Sequence, residues 1–137
     1  MIIFVLLLSN KKMKGKKLEN SDPNGDHCLV SFFGCEDKQI SSVDFWKKIL
    51  PESIEKSKMT ILKSYFYEFE PQGITGFLLL SSSHLSIHTW PEHHYVACDI
   101  FSCSGEKDTQ KVIDYLIQNI KHSSIEIKKI KRGFIYC

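Results

Sequence analysis

Apolar and polar positions along the chain follow two periods, which predict two kinds of element. Where apolar residues recur at every second position, or form a short unbroken run between turn residues, the pattern predicts a β-strand. The predicted strands span residues 28–33, 60–69, 74–80, 85–89, 95–102 and 124–130. Segment 74–80 is almost continuously apolar, which predicts a strand buried on both faces of its sheet.

Helical periodicity occurs twice. Ser41 or Ser42 can cap a first helix that extends to about residue 56, and Pro51 is expected to kink or split it. A second helix is predicted over 107–121. The two apolar stripes are Val43, Trp46, Ile49 and Leu50, and Val112, Ile113, Leu116, Ile117 and Ile120. The order of elements predicts an α+β fold: a two-layer α/β sandwich with two helices packed on one face of a mainly antiparallel sheet.

The first 25 residues differ in character from the rest of the chain. Residues 2–8 are apolar, but lysines follow this run instead of preceding it, which is the reverse of a signal peptide. The run is also too short to span a bilayer. Residues 20–26 are rich in turn-forming types, which predicts a flexible link. We expect 1–25 to be a flexible or mis-started extension, with Met13 as the alternative start, and 26–137 to form the folded domain.

Composition limits the classes of partner. The chain has 137 residues, 42% hydrophobic and 25% charged, with a formal net charge of +2, as expected for one soluble domain. The basic runs at 11–17 and 128–132 lack interleaved stacking aromatics, so we predict no nucleic-acid partner and no membrane partner. Five cysteines without a secretory signal argue against a disulfide framework and for a cytoplasmic location.

The candidate chemistry lies in segment 81–92, with Cys103 just beyond it. The segment combines serines, histidines, an aromatic residue and a carboxylate, the groups that acyl and proton transfer require. Strand alternation places His84, Ser86 and His88 on one face and Ser83 on the other, so we expect a turn or bulge near Ser83 to bring serine and histidines together. The spacing of His84 and His88 could suggest a metal pair, but the residues around them oppose a helix, and we predict no metal site.

The segment Ser-His-Leu-Ser-Ile-His-Thr-Trp-Pro-Glu (83–92), with Phe-Ser-Cys-Ser-Gly (101–105), resembles the S-adenosylmethionine decarboxylase proenzymes of the small prokaryotic, pyruvoyl-dependent type. The resemblance covers about residues 26–133. It implies that Ser83 attacks the preceding carbonyl, so that the chain cleaves itself between 82 and 83 and a pyruvoyl cofactor forms from Ser83. It also implies that His88 transfers the processing proton, with Thr75 and Ser82 in support.

The same resemblance implies the reaction and its substrate. The pyruvoyl group would form a Schiff base with S-adenosylmethionine, Cys103 would return a proton after decarboxylation, and the product would serve spermidine and polyamine biosynthesis. The adenine would stack between Phe69 and Trp90, while Glu92 would hold the ribose hydroxyls. A homodimer of processed αβ protomers, with sites near the interface, is also implied.

Three positions depart from the family pattern, and they keep two alternatives open. Ser82 replaces a glutamate, Thr75 replaces the serine of a Gly-x-Ser-Gly turn, and His94 replaces the glycine of Pro-Glu-x-Gly-Tyr. The first alternative is a pyruvoyl-dependent arginine or ornithine decarboxylase. The second is an unprocessed pseudo-enzyme that binds or regulates a partner.

Overall fold

A computed structural model describes residues 24–81 and 83–133. The strands are β1 (Gly25–Phe33), β2 (Ile61–Glu68), β3 (Ile74–Leu80), β4 (Ser83–Trp90), β5 (Tyr95–Ser102) and β6 (Ser124–Arg132). The helices are α1 (Asp37–Ile40), α2 (Val43–Glu55) and α3 (Glu106–Asn119), and Pro91–His93 forms one 3₁₀ turn. The expected extension at 1–25 therefore lies outside the described residues, except for Asn24 and Gly25.

The six strands form one antiparallel sheet in the order β2-β3-β4-β5-β1-β6. Strands β2 to β5 follow one another as neighbours, and β1 inserts between β5 and β6. The buried core lies between one face of this sheet and helices α2 and α3. The core includes Val30, Leu78, Leu85, Ile87 and Ile100 from the strands and Trp46, Leu50, Val112 and Leu116 from the helices. This arrangement confirms the predicted α+β two-layer sandwich.

The helices follow the sequence pattern with two differences. Ser42 caps α2, since its side chain accepts a hydrogen bond from the backbone N–H of Phe45 at 3.2 Å. Pro51 lies inside α2 without splitting it into two helices. The third helix, α1, was not predicted, because four residues are too few to show helical periodicity.

Strand β3 is not buried on both faces, so that prediction is wrong. Leu78 and Leu80 are fully buried, whereas the alternate residues Phe77 and Leu79 are 40% and 43% exposed. The reason is that both long helices pack on the same side of the sheet and leave the other side uncovered. We call this uncovered side the open face. Its exposed large apolar side chains are Leu29, Phe33, Tyr65, Tyr67, Phe77, Leu79, Trp90 and Ile130.

Two further features concern the described residues. Across the described ranges, none of the helices combines the length and the apolar character needed to cross a bilayer. The four described cysteines, Cys28, Cys35, Cys98 and Cys103, are free thiols.

Candidate active site

Strand β4 carries Ser83 at one end and His88 and Trp90 near the other. The predicted site residues accordingly divide into two groups. The serine end comprises Ser83 and Cys103, and the histidine end comprises Phe69, Thr75, His88, Trp90 and Glu92. His88 lies five positions after Ser83 along the extended strand, a distance of roughly 16 Å at about 3.3 Å per residue.

The hydrogen bond between Thr75 and His88 organises the histidine end. The two residues lie directly opposite each other in the β3–β4 pair, and Thr75 Oγ1 is 2.9 Å from His88 Nδ1. This contact holds the imidazole through Nδ1 and leaves Nε2 as its second functional nitrogen. The hydroxyl of Thr75 therefore occupies the position in which the family pattern has a serine, and it contacts the predicted processing histidine.

All five residues of the histidine end line one cavity of about 260 Å³. Phe69 comes from the turn after β2, Thr75 from β3 and the remaining three from β4 and the 3₁₀ turn. Gln72 also lines this cavity, and its amide donates to Glu92 Oε2 at 3.4 Å. The sequence marks Gln72 only as part of a turn, so its place beside the carboxylate was not predicted.

The turn between β2 and β3 is fixed against the end of β4. The backbone N–H of Phe69 donates to the carbonyl of Gly73 at 2.8 Å, and the N–H of Ile74 donates to Thr89 Oγ1 at 2.9 Å. Gly73 has φ of +107°, and a Cβ there would lie 3.3 Å from the Thr89 carbonyl oxygen. Only glycine adopts this conformation readily, so Gly73 lets the turn bring Phe69 to the cavity.

His94, which replaces a glycine of the family pattern, has a structural explanation. Its backbone is left-handed, with φ of 51°, as the glycine pattern leads one to expect. The ring Nδ1 lies 2.5 Å from Asp37 Oδ1 and 3.2 Å from the Cys35 carbonyl oxygen. The unpredicted helix α1 thus supplies an anchor for the histidine and keeps the turn that presents Glu92.

At the serine end, Ser83 begins β4 and pairs with Leu80 across the β3–β4 hairpin. Only residues 81 and 82 connect these strands, and Ser82 lies outside the described residues. The next residue, His84, pairs with Phe101 of β5, so the register brings Ser83 beside the end of β5. Cys103 follows that end directly. The predicted cleavage bond and the predicted proton donor therefore lie at the same end of the neighbouring strands β4 and β5.

The turn that carries Cys103 is ordered by Ser102. The buried Ser102 hydroxyl donates to Met59 Sδ at 3.3 Å and accepts from the backbone N–H of Ser104 at 2.9 Å. Cys103 is half-exposed, in contrast to Cys98, which is buried. Burial raises the pKa of the Cys98 thiol, which therefore stays protonated in the core.

The expected turn or bulge near Ser83 is not present in the described part of β4. The β3–β4 register runs without a shift from Thr75 opposite His88 to Leu80 opposite Ser83. The prediction that a local irregularity brings serine and histidine together within one chain is therefore wrong. His84, Ser86 and His88 do share the open face, as alternation predicts.

A polar cluster on the open face was missed by the sequence analysis. Asp99 on β5 contacts His27, His84 and Ser86. Burial alone would raise the pKa of the Asp99 carboxyl, but the hydrogen bonds from Ser86 and the two histidines outweigh it, and the pKa is lowered. Asp99 is accordingly a carboxylate at neutral pH.

Comparison with known proteins assigns the chain to a family. The profile of the S-adenosylmethionine decarboxylase family matches residues 26–133. The S-adenosylmethionine decarboxylase proenzyme of Clostridium botulinum (strain Loch Maree / Type A3) is 39% identical over 112 residues, covering 82% of this chain and 97% of the relative. That of Pyrococcus abyssi (strain GE5 / Orsay) is 36% identical over 112 residues, covering 82% and 81%.

A solved structure gives the same result. The crystal structure of the adenosylmethionine decarboxylase from Aquifex aeolicus superposes with a TM-score of 0.78 at 30% sequence identity, covering 84% of this chain and 95% of that chain. The chain therefore belongs to the S-adenosylmethionine decarboxylase family of enzymes, as the resemblance of segments 83–92 and 101–105 predicts.

Proposed function

We propose that the protein cleaves itself between Ser82 and Ser83 and then decarboxylates S-adenosylmethionine in the cytoplasm, supplying the aminopropyl donor for spermidine and other polyamines. Cleavage would yield a β-chain of residues 1–82 and an α-chain of residues 83–137 that begins with a pyruvoyl group derived from Ser83. The observation that carries this proposal is the single cavity lined by all five residues of the histidine end. Membership of the family supports it independently.

Self-cleavage requires the Ser83 hydroxyl to attack the carbonyl before it, and a base to move protons at that bond. Ser83 begins a regular strand directly after a two-residue connection, which fixes the direction of the strand at the cleavage bond. His88 would supply the base through Nε2, because Thr75 holds Nδ1. Threonine retains a hydroxyl at this position and contacts His88 with it, which supports processing despite the departure from the family pattern.

The residues at the serine end also fit the cofactor. When present, the pyruvoyl group takes up the electron pair released as the substrate loses carbon dioxide. Cys103 lies at the same end of the neighbouring strands β4 and β5, half-exposed, in a turn held by the buried Ser102 hydroxyl. A free thiol so placed can deliver a proton to carbon at the end of the reaction.

The histidine end suits the nucleoside part of the substrate. Phe69 and Trp90 present half-exposed aromatic rings to the cavity, which can stack on a purine and stabilise a sulfonium cation. Glu92, fixed by the 3₁₀ turn and contacted by Gln72, can accept hydrogen bonds from the ribose hydroxyls. The cavity of about 260 Å³ is slightly smaller than typical ligand pockets of ~300–1,000 Å³, so one protomer would provide only part of the wall.

The separation of the two ends leads us to propose a homodimer with composite sites. The serine end of one protomer would meet the histidine end of its partner, since a gap of roughly 16 Å prevents them from meeting within one regular strand. The open face supports this arrangement because it exposes eight large apolar side chains, which a monomer rarely leaves in water. A twofold axis through that face would form two equivalent sites.

Release of labelled carbon dioxide tests the proposed activity. The purified protein is incubated with carboxyl-labelled S-adenosylmethionine, arginine or ornithine in separate reactions. Release from S-adenosylmethionine alone is expected. Release from arginine or ornithine would instead assign the alternative substrate class. No release from any of the three would overturn the proposed decarboxylation and favour the unprocessed regulatory pseudo-enzyme.

A further inference from the structure

The polar cluster on the open face joins three strands around Asp99. His27 Nε2 of β1 lies 2.8 Å from Asp99 Oδ2, and His84 Nε2 of β4 lies 3.3 Å from the same oxygen. Ser86, also on β4, donates its hydroxyl hydrogen to the other carboxylate oxygen, Oδ1. One carboxylate oxygen thus faces two imidazole nitrogens, while a hydroxyl orients the carboxylate from its other side.

The sheet register explains why these residues meet. Strand β5 lies between β1 and β4, and His27 and His84 both pair with Phe101, one from each side. Phe101 is two residues from Asp99 on the same face, so each histidine is a diagonal cross-strand neighbour of the carboxylate. The two imidazoles therefore approach Asp99 from opposite strands by an arrangement fixed in the backbone.

Aromatic contacts hold the two imidazole rings. Phe77 stacks on His84 with ring centroids 5.9 Å apart and an interplanar angle of 21°. Phe101 meets His27 edge to face at 5.8 Å. In the single protomer the side chains of His27, His84 and Asp99 are 19%, 32% and 27% exposed, so all three are partly shielded. Little rotamer freedom would be lost on binding a ligand at these groups.

We propose that His27, His84 and Asp99 form a binding site for a divalent transition metal such as Zn²⁺. One ligand atom from each residue lies within 4.8 Å of the other two. Two imidazole nitrogens and one carboxylate oxygen suit Zn²⁺ or Co²⁺, whereas Mg²⁺ prefers oxygen ligands. With metal–ligand bonds of about 2.0–2.2 Å, tetrahedral ligand atoms lie about 3.4 Å apart, so only small ring movements are needed.

Ser86 completes the proposed site without touching the metal. Its hydroxyl bonds to Asp99 Oδ1, which leaves Oδ2 directed at the imidazoles. Partners of this kind orient a ligating carboxylate and raise metal affinity. The proposed ligands are not among the proposed catalytic residues, so the metal proposal does not depend on decarboxylation.

The test is a calorimetric titration of chelator-treated protein with Zn²⁺. We expect saturable binding of one ion per chain. His27→Gln and Asp99→Asn should each weaken binding by about 100-fold or more, and Ser86→Ala by about 10- to 100-fold, as expected for removal of a ligand or of its supporting hydrogen bond. The matched control is His93→Gln, because His93 is an exposed histidine outside the cluster, and it should leave binding unchanged.

Two further measurements keep the result decisive. Circular dichroism tests whether each variant is folded. If the Asp99→Asn protein is unfolded, the His84→Gln protein is titrated in its place. Absorption of the Co²⁺ form distinguishes a site with nitrogen and oxygen ligands from one with a thiolate, such as Cys103. Absence of saturable binding, equal binding by wild type and the cluster variants, or a thiolate signature would each overturn the proposal.

Discussion

Thr75 Oγ1 and His88 Nδ1 lie 2.9 Å apart, directly opposite each other on β3 and β4. The contact follows from the antiparallel register, which makes each residue the cross-strand partner of the other. It explains how the chain accommodates a threonine where the family pattern has a serine. Threonine carries a hydroxyl as serine does, and this hydroxyl is the group that contacts His88.

This contact predicts the behaviour of two variants at residue 75. Thr75→Val keeps the shape but removes the hydroxyl, so self-cleavage should slow by about tenfold, the kinetic equivalent of one lost hydrogen bond of about 1–1.5 kcal/mol. Thr75→Ser should cleave at a rate close to wild type. Gel electrophoresis of samples taken after synthesis measures both rates, and equal rates for valine and threonine would refute the assigned role.

The composite site predicts complementation between two inactive variants. Neither Ser83→Ala nor His88→Ala should cleave when expressed alone. In a mixed dimer, one site combines the intact Ser83 of the His88→Ala chain with the intact His88 of the Ser83→Ala chain. The His88→Ala chain should therefore be cleaved when the two are co-expressed. Distinguishable tags identify the cleaved chain by mass.

The control for complementation is a partner that carries both substitutions, Ser83→Ala and His88→Ala, which should give no rescue. If the His88→Ala chain remains intact beside the Ser83→Ala chain, each site is built within one protomer. That outcome would contradict the composite arrangement while leaving self-cleavage itself possible.

Cys103 and Cys98 should respond differently to substitution. Cys103→Ser replaces the proposed proton donor, so we expect cleavage to continue and decarboxylation to fall by about 10²- to 10⁴-fold. Cys98→Ala affects a buried thiol, so activity should persist with a loss of about 1 kcal/mol in the free energy of unfolding. Carbon dioxide release and thermal melting separate the two effects, and loss of both steps in Cys103→Ser would count against this division of roles.

Charge on the open face should separate the protomers. Phe77→Lys places an ammonium group on the apolar open face, where a second copy would have to desolvate it. We expect analytical ultracentrifugation to find a monomer that does not cleave. Glu55→Lys on the exposed side of α2 is the matched control and should remain dimeric. A Phe77→Lys protein that is still a dimer would move the interface away from this face.

The local pattern of apolar and polar residues was sufficient to predict much of the architecture and the residues of the histidine end. Period-two alternation placed His84 and His88 on one face, and helical stripes identified α2 and α3. The continuous apolar run of β3 was misinterpreted because a face covered by helices and a face open to water can both be apolar. The run itself contains no information about what packs on its second side.

The cluster around Asp99 could not be predicted from the local sequence pattern. Asp99 is 72 residues from His27 and 15 from His84 in the chain, and only the sheet order brings them together. Strand alternation did indicate that Ser83 and His88 are separated, but the turn or bulge expected to bring them together is absent from the β3–β4 register. The chemistry called for contact between the two residues, and one regular strand cannot provide it.

Self-cleavage is tested most directly by the intact mass of the purified wild-type protein under denaturing conditions. We expect two fragments, residues 1–82 and residues 83–137, with the second lighter than its sequence mass because Ser83 has become a pyruvoyl group. A single uncleaved chain of 15.9 kDa would refute self-cleavage and with it the proposed decarboxylation, since no cofactor would then have formed.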